Sequence, residues 1–358
     1  MIAYSIILSF VLVYAVFAIW VERKVAAFIQ DRVGPYEVGY KGLLQTIADL
    51  LKLLQKEDIV PKAADRKAFL IAPLLIFVAV FAGFATLPIA PGLIGSGVQV
   101  GVFFILAIVS LDVIGFLLAG WSSNNKYAVY GSMRAVAQMI SYEIPLGLCI
   151  LAVVMISQTL NLQEISYQQG VFSTEPLFLF GITNIDVTQV GGFITWNIFR
   201  FPLLFIAFII FFIASLAEAN RGPFDIPEAE SELIAGYLTE YSGFRWSVIM
   251  LAEYAMMLLV AMLGSVLFLG SWNTPLPNMG SVALADWTSG TEGALSGYLW
   301  GMFWLFSKSL VWVFVQIWVR WTYPRLRVDQ LMYLCWKVLT PAALFIVLVA
   351  GVWRLLMI

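Results

Sequence analysis

Eight runs of about 20 apolar residues, separated by charged segments, divide this chain. A helix of that length rises about 30 Å, which is the thickness of a bilayer's hydrocarbon core. Hydrophobic residues make up 61% of the 358 positions and charged residues 12%, too few charges to cover a soluble domain of this size. We therefore expect one all-α, polytopic membrane domain over residues 1–358. Its eight transmembrane helices are predicted near 2–21, 69–89, 98–121, 128–157, 196–217, 246–269, 298–321 and 338–357.

The basic residues are distributed unevenly between the loops that eight spans create. Of the 20 Lys and Arg residues, 17 fall in or beside one set of loops. That set comprises 22–68, 122–127, 218–245 and 322–337. Because loops rich in Lys and Arg stay in the cytoplasm, this set is predicted to be cytoplasmic. Both termini would then lie on the outer, periplasmic side of a bacterial inner membrane.

The first cytoplasmic loop contains an amphipathic segment, residues 41–56. Its apolar residues fall on one helical face and its polar residues on the other. The apolar face consists of Leu43, Leu44, Ile47, Leu50, Leu51 and Leu54. The segment is too short and too polar to span a bilayer, so we expect a helix lying in the membrane interface. A helix packed on a soluble partner is the alternative, and the two can both hold.

The sequence contains no histidine and only two cysteines, Cys149 and Cys335. These counts exclude histidine-ligated haem, Ser-His catalysis and an iron–sulfur cluster ligated by this chain alone, and they disfavour a zinc site. No catalytic residue, metal site or covalently bound cofactor is predicted, and no nucleic-acid partner. Any redox chemistry is expected to take place in a partner.

Four ionisable residues lie well away from the ends of the predicted spans, where a charge is costly and indicates pairing or an ion path. They are Asp112, Glu143, Glu253 and Lys308. One acid, Asp112 for example, could pair with Lys308. At least two acids then remain without a basic partner inside the membrane. This excess favours a protonatable chain over simple ion pairing.

Three cytoplasmic segments have a more specific character than connecting loops. The segment from Glu218 to Tyr241 contains six carboxylates, among them Glu228 and Glu232 at helical spacing, where each raises the other's proton affinity. Proton storage and an acid-stabilised helix start at Pro227 both fit this pattern. Residues 22–35 place five charges where the first span leaves the membrane. Such charges are also expected if they only anchor the end of that span. The basic, aromatic segment 318–332 could bind anionic lipid or a soluble subunit.

Five co-linear motifs in these loops resemble one family over essentially the full length. They are Glu22-Arg23-Lys24 with Gln30–Pro35; Ala48–Leu53; Trp121–Tyr127 with Arg134 and Ser141–Glu143; Ala217–Tyr241; and Pro324–Met332 with Trp336-Lys337. The family is the membrane subunit that holds the quinone site of respiratory complex I, the proton-pumping NADH:quinone oxidoreductase. Its members are the H subunit of the bacterial complex and subunit 1 of the mitochondrial one.

The resemblance implies a narrow chamber for ubiquinone or menaquinone, open to the lipid and leading to a peripheral arm. Partner subunits there would hold FMN and iron–sulfur clusters, and small and antiporter-like membrane subunits would move protons. The residues that match the chamber are Arg23, Arg32, Asp49, Lys52 and Phe224. The residues that match proton coupling are Glu143, Glu218, Glu228, Glu230, Glu232 and Glu253.

Two other functions remain open at this point. A homologous membrane subunit of an energy-converting hydrogenase or ferredoxin-linked complex would share the fold without needing a quinone chamber. A stand-alone ion-coupled transporter would use the buried acids as its ion site, although no internal repeat supports it. The external loops 158–195 and 270–297 match no motif and are assigned no function.

Overall fold

The computed structural model describes residues 2–173, 176–181, 186–227, 230–278 and 283–357. The described chain is helical except for loops and one small antiparallel hairpin, β1 (Pro88–Ala90) and β2 (Leu93–Ile94). We call the end of the bundle that carries segment 22–68 the basic end, and the other the opposite end. The predicted all-α membrane fold is confirmed.

Fourteen α-helices are present in the described residues. They are α1 (Ile2–Ile29), α2 (Gln45–Gln55), α3 (Arg66–Gly83), α4 (Gly101–Ser122), α5 (Lys126–Ser157), α6 (Leu162–Tyr167), α7 (Asn197–Arg200), α8 (Pro202–Glu218), α9 (Glu230–Leu233), α10 (Gly243–Phe268), α11 (Leu284–Thr288), α12 (Leu295–Thr322), α13 (Val328–Tyr333) and α14 (Thr340–Met357). A π-helical segment, Leu334–Leu339, joins α13 to α14 without a break. Short 3₁₀ turns occur at Tyr40–Gly42, Phe84–Thr86, Leu179–Gly181, Gly192–Thr195 and Gly236–Leu238.

Seven helices in the described part are long and apolar enough to cross a membrane. The predicted run 196–217 contributes only the shorter α8, whose 17 residues rise about 26 Å. The run is divided at Phe201, which is extended (φ −139°, ψ 131°) and precedes Pro202 at the first turn of α8. A proline disfavours helical geometry in the residue before it, which explains the break. The eighth span therefore remains a prediction.

Helix α10 forms the centre of the bundle. Every residue from Ala252 to Phe268 is buried, as expected for a helix that is apolar on all sides and surrounded by others. It packs against α1, α3, α8 and α12. Glu253 and Tyr254 lie in this buried part of α10, on the side of the basic end, and therefore face the protein interior.

The loops at the opposite end fold back on the bundle. The Gln169 amide donates to the carbonyl of Val266 (2.8 Å), and the Asn273 amide donates to the carbonyl of Gln169 (2.7 Å). The ammonium of Lys308 donates to three carbonyl oxygens in this region, those of Leu269 (2.7 Å), Ser271 (2.9 Å) and Asn273 (2.5 Å). Within the described residues its donors are thus used on backbone oxygens, and the pairing with Asp112 does not form.

The predicted amphipathic helix is α2. Its leucines Leu50, Leu51 and Leu54 are exposed on the outside of the bundle, as is Ile47. An exposed apolar face fits both predicted environments, the membrane interface and the surface of a partner.

Candidate functional site

A buried carboxylate, Glu22, lies where α1 leaves the bundle at the basic end. Arg320 of α12 hydrogen-bonds its Oε1, and Arg221 approaches the same oxygen at 3.7 Å. The Tyr254 hydroxyl donates to the other oxygen at 2.6 Å, and the guanidinium of Arg221 stacks over the Tyr254 ring at 4.2 Å. Helices that are distant in sequence therefore meet at one charged centre.

Asp225, in the loop after α8, extends this centre. Its Oδ2 accepts a hydrogen bond from Arg325 at 3.2 Å and lies 3.6 Å from Arg320. Arg320 thus bridges Glu22 and Asp225. Burial raises the pKa of the Asp225 carboxyl above its ordinary value, although the neighbouring arginines oppose the shift. The loop therefore holds an acid whose protonation responds to nearby charge.

An arginine-lined cavity of about 470 Å³ opens beside Glu22. Its lining includes Arg23, Arg32, Arg221, Arg320, Tyr254 and Trp321. An adjoining groove of about 630 Å³ is mainly apolar and is lined by Val25, Phe28, Ile29, Val33, Phe314 and Trp318, with Lys24 and Arg32 at its edge. Arg32 lines both. A molecule with an apolar tail and a polar head could occupy the two together, with its head among the arginines.

Three of the five predicted chamber residues come together here. Arg23 and Arg32 line the cavity, and Asp49 of α2 accepts a hydrogen bond from Arg23 at 2.6 Å. Lys52 is exposed on α2 and lines neither space. Phe224 is buried elsewhere, with its ring 5.3 Å from that of Tyr142.

Four acids inside the bundle continue from this cavity. Glu253, next to Tyr254, accepts a hydrogen bond from Tyr237 at 2.5 Å. Asp112 of α4 is buried and lies close enough to Glu253 and Glu218 for their charges to interact. Within the described part of the chain, no Lys or Arg lies within 4.0 Å of Asp112, Glu143, Glu218 or Glu253. The excess of unpaired acids expected from the sequence is therefore present in the fold.

Glu218 and Glu143 line one small internal cavity. It measures about 20 Å³, roughly the space of one water molecule, and its other walls are apolar. Glu143 also accepts a hydrogen bond from Ser110 at 2.5 Å. A single water could connect the two carboxyls in this space.

Of the remaining predicted coupling residues, one lies at the protein surface and two are not described, or described only in their backbone. Glu232 accepts a hydrogen bond from Arg134 at 2.5 Å, and its side chain is 60% exposed. Glu230 begins α9, and its side chain is not among those described. Glu228 lies outside the described residues. The Glu228–Glu232 pair thus remains a prediction.

Sequence reasoning did not select Glu22, Arg221, Asp225, Arg320, Tyr237 or Tyr254 as site residues. The first four fall within or at the edge of the three unusual loops, so their position was a usable signal. Tyr237 also lies in the segment from Glu218 to Tyr241 but carries no charge, and Tyr254 belongs to an apolar helix. Only their contacts with Glu253 and Glu22 show their importance.

Comparisons with known proteins identify a matching family. A family model described as NADH dehydrogenase matches residues 2–351. The second H subunit of the NADH-quinone oxidoreductase of Cytophaga hutchinsonii is 65% identical over 353 residues, covering 97% of each chain. The corresponding H subunit of Chlorobaculum parvum is 50% identical over 98% of this chain and 90% of its own, and that of Geobacillus kaustophilus is 44% identical over 97% and 92%.

Proposed function

The chain belongs to the NADH dehydrogenase family, together with the H subunits of NADH-quinone oxidoreductases, and on this premise we propose that its arginine-lined cavity and apolar groove form a quinone chamber. The observation that carries the proposal is the position of Arg32 at the junction of the two spaces. The groove suits an isoprenoid tail, and the cavity supplies donors for the oxygens of a quinone head.

The electrons for this reaction would come from iron–sulfur clusters and FMN in partner subunits, since the chain lacks the ligands for such centres. Its own residues bind the head, orient it and supply charge. Reduction adds negative charge to the head, which must also gain two protons. Arg221 and Arg320 are placed to stabilise that charge, because both lie in the cavity wall.

The same charge change would couple to the buried acids. Negative charge in the cavity competes with Glu22 and Asp225 for Arg320, which bonds the first and lies 3.6 Å from the second. A shift of Arg320 changes the electrostatic potential at Glu253. This acid precedes Tyr254 in the sequence, and Tyr254 donates a hydrogen bond to Glu22. Protonation can then pass through Asp112 and Glu218 to Glu143. Glu228, Glu230 and Glu232 would belong to the loop that moves with this change.

The orientation and partners follow from the same proposal. The basic end would face the cytoplasm of a bacterium, both termini would face the periplasm, and the site would lie in the inner membrane. Peripheral-arm subunits would cover the cavity. Small and antiporter-like membrane subunits would continue the path from Glu143. The similarity to H subunits favours this function over a hydrogenase-linked relative and over a stand-alone transporter.

The proposal is tested by replacing Arg32 with Met in the intact complex. We expect the KM for a long-chain quinone to rise roughly tenfold or more, because a charge-assisted hydrogen bond of about 1.5–3 kcal/mol is lost. The rate with ferricyanide, which accepts electrons before the quinone, should be unchanged. Lys126→Met, at an exposed position beside Tyr127, is the matched control. An unaltered KM in Arg32→Met would contradict the assignment.

A further inference from the structure

Lys308 is a cation within α12 that the proposed function does not use. Three carbonyl oxygens, on Leu269, Ser271 and Asn273, lie within 2.5–2.9 Å of its Nζ. A neutral amine has two N–H groups and cannot donate to all three, whereas an ammonium has three. Three acceptors at these distances therefore favour the charged form.

Two further features hold this charge at the end of α10. The ring of Trp196 lies 4.3 Å from Nζ in a cation–π contact. The carbonyls that bind Nζ follow the last turn of α10, where the helix dipole favours a cation. Lys308 as a residue is partly buried, and Ser271 and Asn273 are buried. Lys308 thus places a fixed positive charge at the opposite end of the central helix.

A discontinuous line of buried polar side chains leads from the acids towards this charge. Three residues before Glu218, Ser215 accepts a hydrogen bond from Gln316 at 3.2 Å. Further along α12, the hydroxyl of Ser309 lies 3.4 Å from that of Ser265. Ser309 is the sequence neighbour of Lys308, and the carbonyl of Ser265 accepts from the N–H groups of Leu269 and Ser271. The carbonyls of Leu269 and Ser271 in turn bind Nζ, so the line ends at the backbone segment that holds the Lys308 ammonium.

Aromatic rings interrupt this line between Gln316 and Ser309. Trp312 lies between them on the same face of α12, and its ring is 5.0 Å from Phe208 and 6.0 Å from Phe211. Phe211 in turn lies 5.4 Å from Phe268. Such an apolar constriction hinders a continuous water chain. Fluctuations of the rings would still expose a route from Glu218 to the opposite end.

We propose that the Lys308 ammonium is an electrostatic barrier that stops protons from leaving the buried acids through the opposite end of this subunit. A fixed positive charge beside an apolar constriction excludes cations and protons from a pore in this manner. The inference rests on the proposed function in one respect, that the acids exchange protons. It assigns to Lys308 a sealing role distinct from quinone binding and proton coupling.

The test uses the complete complex in liposomes that contain a pH-sensitive dye. A potassium diffusion potential drives protons inward with no NADH or quinone present. Lys308→Gln, which keeps two donors and removes the charge, should raise proton permeability roughly tenfold. That is the factor that a unit charge at about 10 Å imposes at an effective dielectric constant of about 20. Lys308→Arg should be as tight as the wild type. Equal permeability of Lys308→Gln and the wild type would overturn the proposal.

A second pair of variants leaves Lys308 in place, which matters if its replacement prevents assembly. Ser265→Asp introduces a carboxylate next to the segment that binds the ammonium and should open the leak. Ser265→Asn has nearly the same shape without the charge and should not. A tight Ser265→Asp complex would overturn the barrier role. Quinone reductase activity, measured separately, reports on the proposed function, so the two failures remain distinguishable.

Discussion

The Arg320 guanidinium binds the Glu22 carboxylate, and this pair connects helices α12 and α1 across 298 positions of sequence. Glu22 is almost fully buried, and the Arg320 side chain is 22% exposed. Breaking a buried pair leaves one charge without compensation. This contact therefore joins α12 to α1 beside the proposed chamber.

Replacing Arg320 by Leu should lower the free energy of unfolding of the subunit by about 3 kcal/mol, because the buried Glu22 loses its hydrogen-bonded cation and keeps only the longer contact with Arg221. Thermal unfolding of the purified complex measures the effect. Arg327→Leu is the control, because Arg327 and its partner Asp329 are both at least 80% exposed. An exposed pair contributes about 1 kcal/mol or less. Equal losses in the two variants would show that Glu22 is not stabilised by Arg320.

The buried carboxyl of Asp225 should make the stability of the protein fall as the pH rises. Burial raises its pKa in the folded chain, so the folded state holds the proton more tightly than the unfolded state does. The stability that this carboxyl contributes is present below the unfolded pKa of about 3.9 and is lost as the pH rises through the folded value. Relative to Asp225→Asn, the wild type should therefore lose stability on going from about pH 4 to neutral pH. Parallel stability curves for the two proteins would refute the shift.

The hydrogen bond from Tyr237 to Glu253 should matter for turnover. Tyr237→Phe removes a bond to a potentially charged group, which is a loss of about 1.5–3 kcal/mol. We expect proton-coupled quinone reduction to slow by roughly tenfold or more, while ferricyanide reduction is unchanged. Tyr323→Phe, at an exposed position, serves as the control. A normal coupled rate in Tyr237→Phe would remove this tyrosine from the acidic path.

The loop that carries Tyr237 depends on a close approach between two glycines. A Cβ on Gly131 of α5 would lie 2.6 Å from the Cα of Gly236, which itself has φ +55°. Gly131→Ala should therefore displace the loop and cost about 1–3 kcal/mol. Gly147→Ala in the same helix meets no atom within 4 Å and should be neutral or stabilising. Unfolding temperatures of the two complexes give the comparison, and equal values would argue against the contact.

The membrane fold was predictable from the sequence for a simple physical reason. Backbone groups inside hydrocarbon must be satisfied within their own segment, so a long apolar run has to form a helix. The break at Phe201 also had a signal in the sequence, because Pro202 follows it. The apolar residues continue across this position, however, and the run 196–217 was therefore predicted as one helix. Arg23, Arg32 and Asp49 were predicted as chamber residues from motifs in one loop region; the structure brings these three together, and their role stays a prediction.

Other relationships depended on the tertiary structure because they join distant residues without a local pattern. Arg320 could have paired with any acid at the basic end, and packing selects Glu22 and Asp225. From the sequence an acid such as Asp112 could have paired with Lys308, yet the end of α10 presents three carbonyls that bind it instead. Composition and periodicity determined that the chain crosses a membrane with its charges gathered at one end. Packing around α10 decided which charges meet, because that depends on distances in space that no sequence spacing encodes.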